Sequence, residues 1–179
     1  MTPLQILDPP NVEPVSLGEA QTFLKIEDER DAARIEALVR TSREACELFL
    51  GFALVSRTVR LRGTIMGPRF YLSSGPVQQL EGISAFRGVN ETLYDPVDFP
   101  VLEQNGRAYL EVPGLALGLL LQVDYTIGLG PDWNAVPEAI RQGILRLVAH
   151  QYEQRSDPHV AALPHAVTAL WQPYRKLRL

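Results

Sequence analysis

Apolar and polar positions follow two different rhythms along this chain, and the change of rhythm divides it. From Val136 to Arg155, VPEAIRQGILRLVAHQYEQR, the residues Ile140, Ile144, Leu147, Val148 and Tyr152 recur at three and four positions. That spacing draws one apolar stripe along a helix. Arg141, Gln142, Arg146, Gln154 and Arg155 fall mostly off the stripe. Pro137 suits a first helical turn and Glu138 the positive end of the helix dipole. Gly143 costs about 1 kcal/mol against alanine inside a helix. The helical rhythm occurs again between residues 16 and 50. Ser16 with Glu19 three residues later is a capping-box spacing, so a short helix is predicted with Leu17, Ala20, Phe23 and Leu24 inward. Asp28 or Asp31 would cap the next helix, whose inner face is Ile35, Leu38, Val39, Ser42, Cys46 and Phe49. Arg34, Glu36, Arg40, Arg43, Glu44 and Glu47 are expected outside it, and Gly51 ends it. Before all this, Pro3, Pro9, Pro10 and Pro14 make residues 1 to about 14 an extended arm.

Past Gly51 the period drops to two. Val55 to Leu61 alternates, with Arg57 blurring which side is buried. Phe70 to Leu72, Val77 to Phe86, Thr92 to Tyr94, Arg107 to Val112 and Leu119 to Ile127 read as further strands. Turn residues separate them: SSGP at 73–76, RGVNE at 87–91, a loop holding Pro96 and Pro100, and QNG at 104–106. Strands at this spacing imply an antiparallel sandwich or barrel. The predicted class is therefore α+β: a helical body of two N-terminal helices and one long C-terminal helix, with an antiparallel β-rich insertion. The boundaries are 1–53 and 129–179 for the body with its N-terminal and C-terminal arms, and 54–128 for the insertion. A last short helix spans about Pro164 to Trp171, with Val167, Leu170 and Trp171 inward, and Pro173 stops it.

Composition narrows the function. A chain of 179 residues is one domain, or one domain with a subdomain, and buries enough surface to need no disulfide staples. Cys46 is the single cysteine, which suits a reducing compartment. The net charge of −4 argues against a free-standing duplex-DNA binder. The N-terminus lacks a basic segment before an apolar run, so no signal peptide is expected, and no apolar stretch approaches the ~20 residues of a membrane helix.

Candidate chemistry is sparse. His150, His159 and His165 lack the paired spacing of a zinc site. Gly128 and Gly130 form GxG, but Trp133 stands where a third glycine belongs and Pro131 breaks the helix start. EDERD at 27–31 lacks the ligand order of a calcium loop. Asp124 has no partner carboxylate, and Cys46 falls on the inner stripe of its helix. No cofactor is expected. The C-terminal YRKLRL alternates three cations with Tyr174, Leu177 and Leu179, which reads either as a frayed tail or as an arm that orders on a partner.

The order of these motifs resembles the head–tail connector (adaptor, head-completion) proteins of long-tailed bacteriophages and phage-like gene transfer agents. The residues that carry the resemblance are PVSLGEA at 14–20, FLKI at 23–26, the acidic run 27–31, IEALV at 35–39 and CELFLGFAL at 46–54. PVxxL at 76–80, VxYTxG at 123–128, the helix at 136–155, LP at 163–164 and PYR at 173–175 complete it, while residues 84–118 match least. The resemblance implies a non-enzymatic virion protein of the particle neck, assembled in the bacterial cytoplasm. It implies docking on the portal protein as a ring, expected to be a dodecamer, that extends the DNA channel and receives the next neck or tail-completion protein. DNA would pass without sequence-specific binding, and no membrane is involved. The arm Tyr174, Arg175, Lys176, Leu177, Arg178 and Leu179 is the candidate portal-binding segment. The competing reading is a DNA-binding packaging or regulatory module using Arg141, Arg146 and Arg155. A third is an enzyme whose site no motif announces.

Overall fold

The computed structural model describes residues 4–26, 28–73, 75–154 and 163–175. The class is α+β with antiparallel sheets. The chain falls into two compact units, one made of residues up to 11 with 56–129, the other of 12–55 with 130 onward.

In the second unit the helical rhythm becomes α1 (Leu17–Leu24), α2 (Ala32–Leu50), α3 (Glu138–Glu153) and α4 (His165–Trp171). The capping box forms as its spacing demands: Ser16 Oγ accepts the Glu19 N–H at 3.2 Å, and Glu19 Oε2 accepts the Ser16 N–H at 2.8 Å. Of the four side chains expected inward on α1, only Ala20 is fully buried, and Phe23 is 43% exposed. Two turns of helix bury one narrow stripe against α2 and α3, and Phe23 falls beyond it.

Helix α2 buries Ile35, Val39, Ser42, Cys46 and Leu50, and Gly51 ends it at φ 82°. Asp31 stands at its N-cap position without a capping bond, because its carboxylate accepts the Tyr152 hydroxyl at 2.7 Å instead. Arg43, expected outside, is buried. Helix α3 is covered on more than one side: Ile140, Ile144, Leu147 and Val148 are buried as predicted, and so are Arg141, Gly143 and Leu145. Its second cover is α4. Trp171, fully buried, donates its indole N–H to the Ile140 carbonyl at 3.1 Å. A Cβ on Gly143 would overlap that indole, so this glycine is required by close approach. α4 ends at Trp171, two residues before Pro173, where the stop was expected. A 3₁₀ turn, Gln172–Tyr174, carries helical geometry through it, since a fixed φ suits a first turn.

The first unit holds two sheets. The larger has the order β1-β2-β8-β4-β5, from β1 (Gln5–Asp8), β2 (Arg57–Thr64), β4 (Val77–Arg87), β5 (Asn90–Tyr94) and β8 (Leu120–Ile127). The smaller has the order β3-β7-β6, from β3 (Arg69–Tyr71), β6 (Val101–Gln104) and β7 (Arg107–Glu111). Every strand pair in both sheets is antiparallel. The proline-bearing arm is in part a strand: Gln5 and Ile6 pair with Arg60 and Val59. Edge position tolerates the flanking prolines, and backbone bonds hold the strand, since Ile6 is half-exposed. Strand β6 lies where a loop was expected. Pro96 opens a 3₁₀ turn capped by Asp95, and the β6–β7 hairpin turns at Asn105 and Gly106, both at positive φ.

Register shows what each face does. Val59, Leu61, Leu121, Val123, Tyr125, Ile127, Ile83 and Ala85 are buried on one side of the larger sheet. Arg57 shares that buried side. Gly63 lies there too, and the Phe70 ring of β3 comes within 3.0 Å of where its Cβ would be. The two sheets therefore meet through Phe70. The Tyr125 hydroxyl accepts the Ser73 N–H at 3.1 Å and donates to the Ser73 carbonyl at 3.0 Å, pinning the β3–β4 connection. Burial pushes its hydroxyl up to about 12.

Candidate functional site

The candidate arm begins on a fixed root. Trp171 anchors α4 in the helical unit, and Phe49 of α2 packs against its ring at 5.8 Å. The Arg175 guanidinium lies 5.2 Å above the Phe49 ring, and Tyr174 is 37% exposed. Tyr174 and Arg175 thus follow directly on α4. Lys176, Leu177, Arg178 and Leu179 lie outside the described residues, as do Arg155 and His159.

Two arginines expected on helix surfaces are structural hubs. Arg141 donates to the Pro14 carbonyl at 3.0 Å and to Glu138 at 2.8 Å, pairs with Glu19, and stacks 4.6 Å from the Trp133 ring. It ties the segment before α1 to α3. Burial works against the Glu19 carboxylate, yet the Ser16 N–H, the Ser16 hydroxyl and the Arg141 charge outweigh it and hold Glu19 below its usual range. Arg43 meets Glu13 at 2.8 Å, Glu47 at 3.0 Å and Glu44 at 3.4 Å. Glu47 also accepts the Leu54 N–H at 2.9 Å, which fixes the exit from α2. A buried arginine persists where its donors are matched, and i+4 spacing from Glu47 supplied one partner. Arg141 is therefore not available to a DNA backbone. Of the three arginines proposed for duplex contact, only Arg146 is both described and exposed.

The other candidates resolve into structure. The Cys46 thiol is buried, and burial pushes its pKa far up, so it is not a nucleophile. Gly130 bridges to Val55, and a Cβ there would overlap Ala135. Asp124 accepts a two-pronged bond from Arg60 at 2.7 and 2.6 Å across β2 and β8. Asp28 accepts the Arg30 N–H at 2.9 Å in a turn. Among the described residues no group of three His, Cys, Asp or Glu converges on a metal-sized site.

One arrangement escaped the sequence reading. Arg69-Phe70-Tyr71 and Arg107-Ala108-Tyr109 repeat the pattern Arg-x-Tyr. In antiparallel register Tyr71 faces Tyr109, so each arginine comes to lie over the other strand's tyrosine. Arg69 sits 4.8 Å above Tyr109 and Arg107 sits 4.8 Å above Tyr71, with the two rings 5.8 Å apart. The doubled motif was the signal. Its meaning depended on the register.

No protein-family model matches the chain, and no curated protein matches it. Solved structures do. A chain in the neck of an empty gene transfer agent (GTA) particle, computed with C6 symmetry, aligns at TM-score 0.82 and 25% identity, over 99% of this chain and 97% of that one. A chain in the virion of a native GTA particle aligns at TM-score 0.81 and 25% identity, over 100% and 97%. A chain in the neck of a native GTA particle, computed with C12 symmetry, shares the fold at TM-score 0.70 and 24% identity.

Proposed function

From a fold shared end to end with gene-transfer-agent neck chains, we propose that this protein is the head–tail adaptor of a phage or GTA particle. The resemblance to head–tail connectors seen in the order of motifs holds over the whole chain. The protein is a structural component of the virion neck, and its assembly is a ring. The observation that carries the reading is the alignment of 99% of this chain at TM-score 0.82.

α1, α2 and α3 form the body, residues 54–128 are its β-rich insertion, and twelve copies dock on the portal ring. They extend the DNA channel and present a platform to the next neck or tail-completion protein. The role is mechanical and not enzymatic. Subunits associate weakly when free, because a heterologous contact gains full strength only when the ring closes. The C-terminal residues 174–179 reach the portal. Six residues extend at most ~20 Å, enough for a neighbouring subunit. Leu177 and Leu179 supply apolar anchors, and Arg175, Lys176 and Arg178 supply charge-assisted bonds.

The test is removal. Particles made without this protein are expected to be filled or leaking heads without tails, and added purified protein should restore tail attachment. Protein lacking residues 176–179 should keep its melting temperature yet fail to sediment with portal-bearing capsids. Attachment by the truncated chain would sink the arm and leave the adaptor role. Normal tailed particles without the protein would sink both.

A further inference from the structure

We propose that the arginine–tyrosine face of β3 and β7 is one half of a head-to-tail contact between copies of this chain, and that the acidic, apolar stretch from Glu91 to Glu103 is the other half. The inference rests on the ring reading and names the surfaces that make the ring.

The first half is prepared for an anion. Arg69 and Arg107 are exposed, each lying over a tyrosine ring, and Arg69 also donates to Gln104 at 2.6 Å. Neither enters an ion pair among the described residues, although Glu111 lies opposite Arg69 in register. The ring contact orders each guanidinium in advance, so little side-chain entropy is left to lose on binding. Tyr71 is 42% exposed beside them. Tyrosine and arginine are the residue types that anchor protein interfaces.

The second half is its complement in charge. Between Arg87 and Arg107 the sequence has Glu91, Asp95, Asp98 and Glu103 and no lysine or arginine. All four are exposed, and none enters an ion pair among the described residues. Leu93, Val97 and Val101 alternate with them, 77%, 86% and 37% exposed. Apolar surface flanked by carboxylates fits an arginine–tyrosine face and repels nucleic acid.

Two residues of the second half face away from the first within one chain. Val101 and Glu103 pair with Leu110 and Ala108, so they lie on the side of the small sheet opposite Arg107 and Tyr109. A contact between two different patches is heterologous, and it propagates until the rotation closes a ring.

Charge reversal tests this with a built-in rescue. R69E/R107E makes both halves acidic, and E91K/D98K/E103K makes both basic. Each variant alone is expected to self-associate at least about tenfold more weakly than the parent in sedimentation of concentrated full-length protein. An equimolar mixture should recover parental association, as alternating copies restore every contact. Recovery also shows that both variants are folded. Undiminished association of either variant alone, or no recovery on mixing, overturns the assigned surfaces and leaves the ring reading intact. A parent that fails to associate at any concentration and fails to form rings on portal-bearing capsids overturns the ring reading itself. Duplex DNA retained by the parent and released by R69E/R107E would overturn the proposal in favour of a nucleic-acid partner.

Discussion

Two arginines of the helical unit and two of the β unit are used in opposite ways. Arg43 and Arg141 are buried, each with several oxygen partners, and each joins chain segments far apart in sequence. Arg69 and Arg107 are exposed, stacked on tyrosines, and matched by no carboxylate among the described residues. The two units carry almost the same kinds of charge. In one, charge closes the interior around the ends of α1, α2 and α3. In the other, Arg69 and Arg107 stay exposed over tyrosine rings, while Arg60 is paired with Asp124. A chain with net charge −4 would not announce this, because the average conceals where charge is already neutralised.

The comparison can be broken first in the helical interior. Ile144→Asp places a carboxylate on the fully buried face of α3 and is expected to cost about 4–5 kcal/mol, enough to abolish amide protection in the helices. Parental melting of that variant would mean the face is not the core. Gly143→Ala should cost about 2–3 kcal/mol, because the Trp171 indole must move off the Ile140 carbonyl. Loss of the buried-tryptophan fluorescence shift would accompany it, and an unchanged spectrum would count against the close approach.

Arg141→Ala should cost about 2–3 kcal/mol in chemical denaturation, less than a fully buried pair, because the Glu19 and Glu138 side chains are 38% and 66% exposed. Its acid dependence has a definite sign. The folded Glu19 carboxyl titrates below its ordinary 4.5, so its contribution is present above that value and is lost as pH falls through the folded pKa. The stability gap between the parent and Glu19→Gln should therefore be full at neutral pH and shrink below about pH 4.5. A gap that widened on acidification would reverse the assignment. Smallest of all, Arg107→Ala should move stability by no more than about 0.5 kcal/mol, although it removes a ring stack. A thermal shift as large as that of Arg141→Ala would erase the distinction between the two units.

Local spacing alone was enough for several elements. Ser16 and Glu19 stand three apart, and the capping box formed. Gly51 follows the last apolar residue of α2, and the left-handed turn formed there. The three-four spacing of Ile140, Ile144, Leu147 and Val148 fixed the buried face of α3, and alternation placed Leu121, Val123, Tyr125 and Ile127 on one side of β8. Such features depend on neighbours within a turn or a strand, so the sequence carries them whole. Of the candidate arm, only Tyr174 and Arg175 are described, and the doubled Arg-x-Tyr motif carried no meaning until two strands were aligned.

What the sequence by itself determined about this protein is its periodicity: where helices give way to strands, which stripe of each is apolar, and that the class is α+β. Tertiary structure alone decided the fate of polar side chains. Arg43 and Arg141 look like surface residues until Glu13, Pro14 and Glu19 arrive from 30, 127 and 122 positions away. The arm at Gln5–Asp8 becomes a strand only because β2 offers an edge. Burial of an apolar stripe needs only some partner of low polarity, so it is written locally. A buried cation needs particular oxygens at particular distances, and a stacked one needs a particular ring, so both wait on the fold to bring distant residues together.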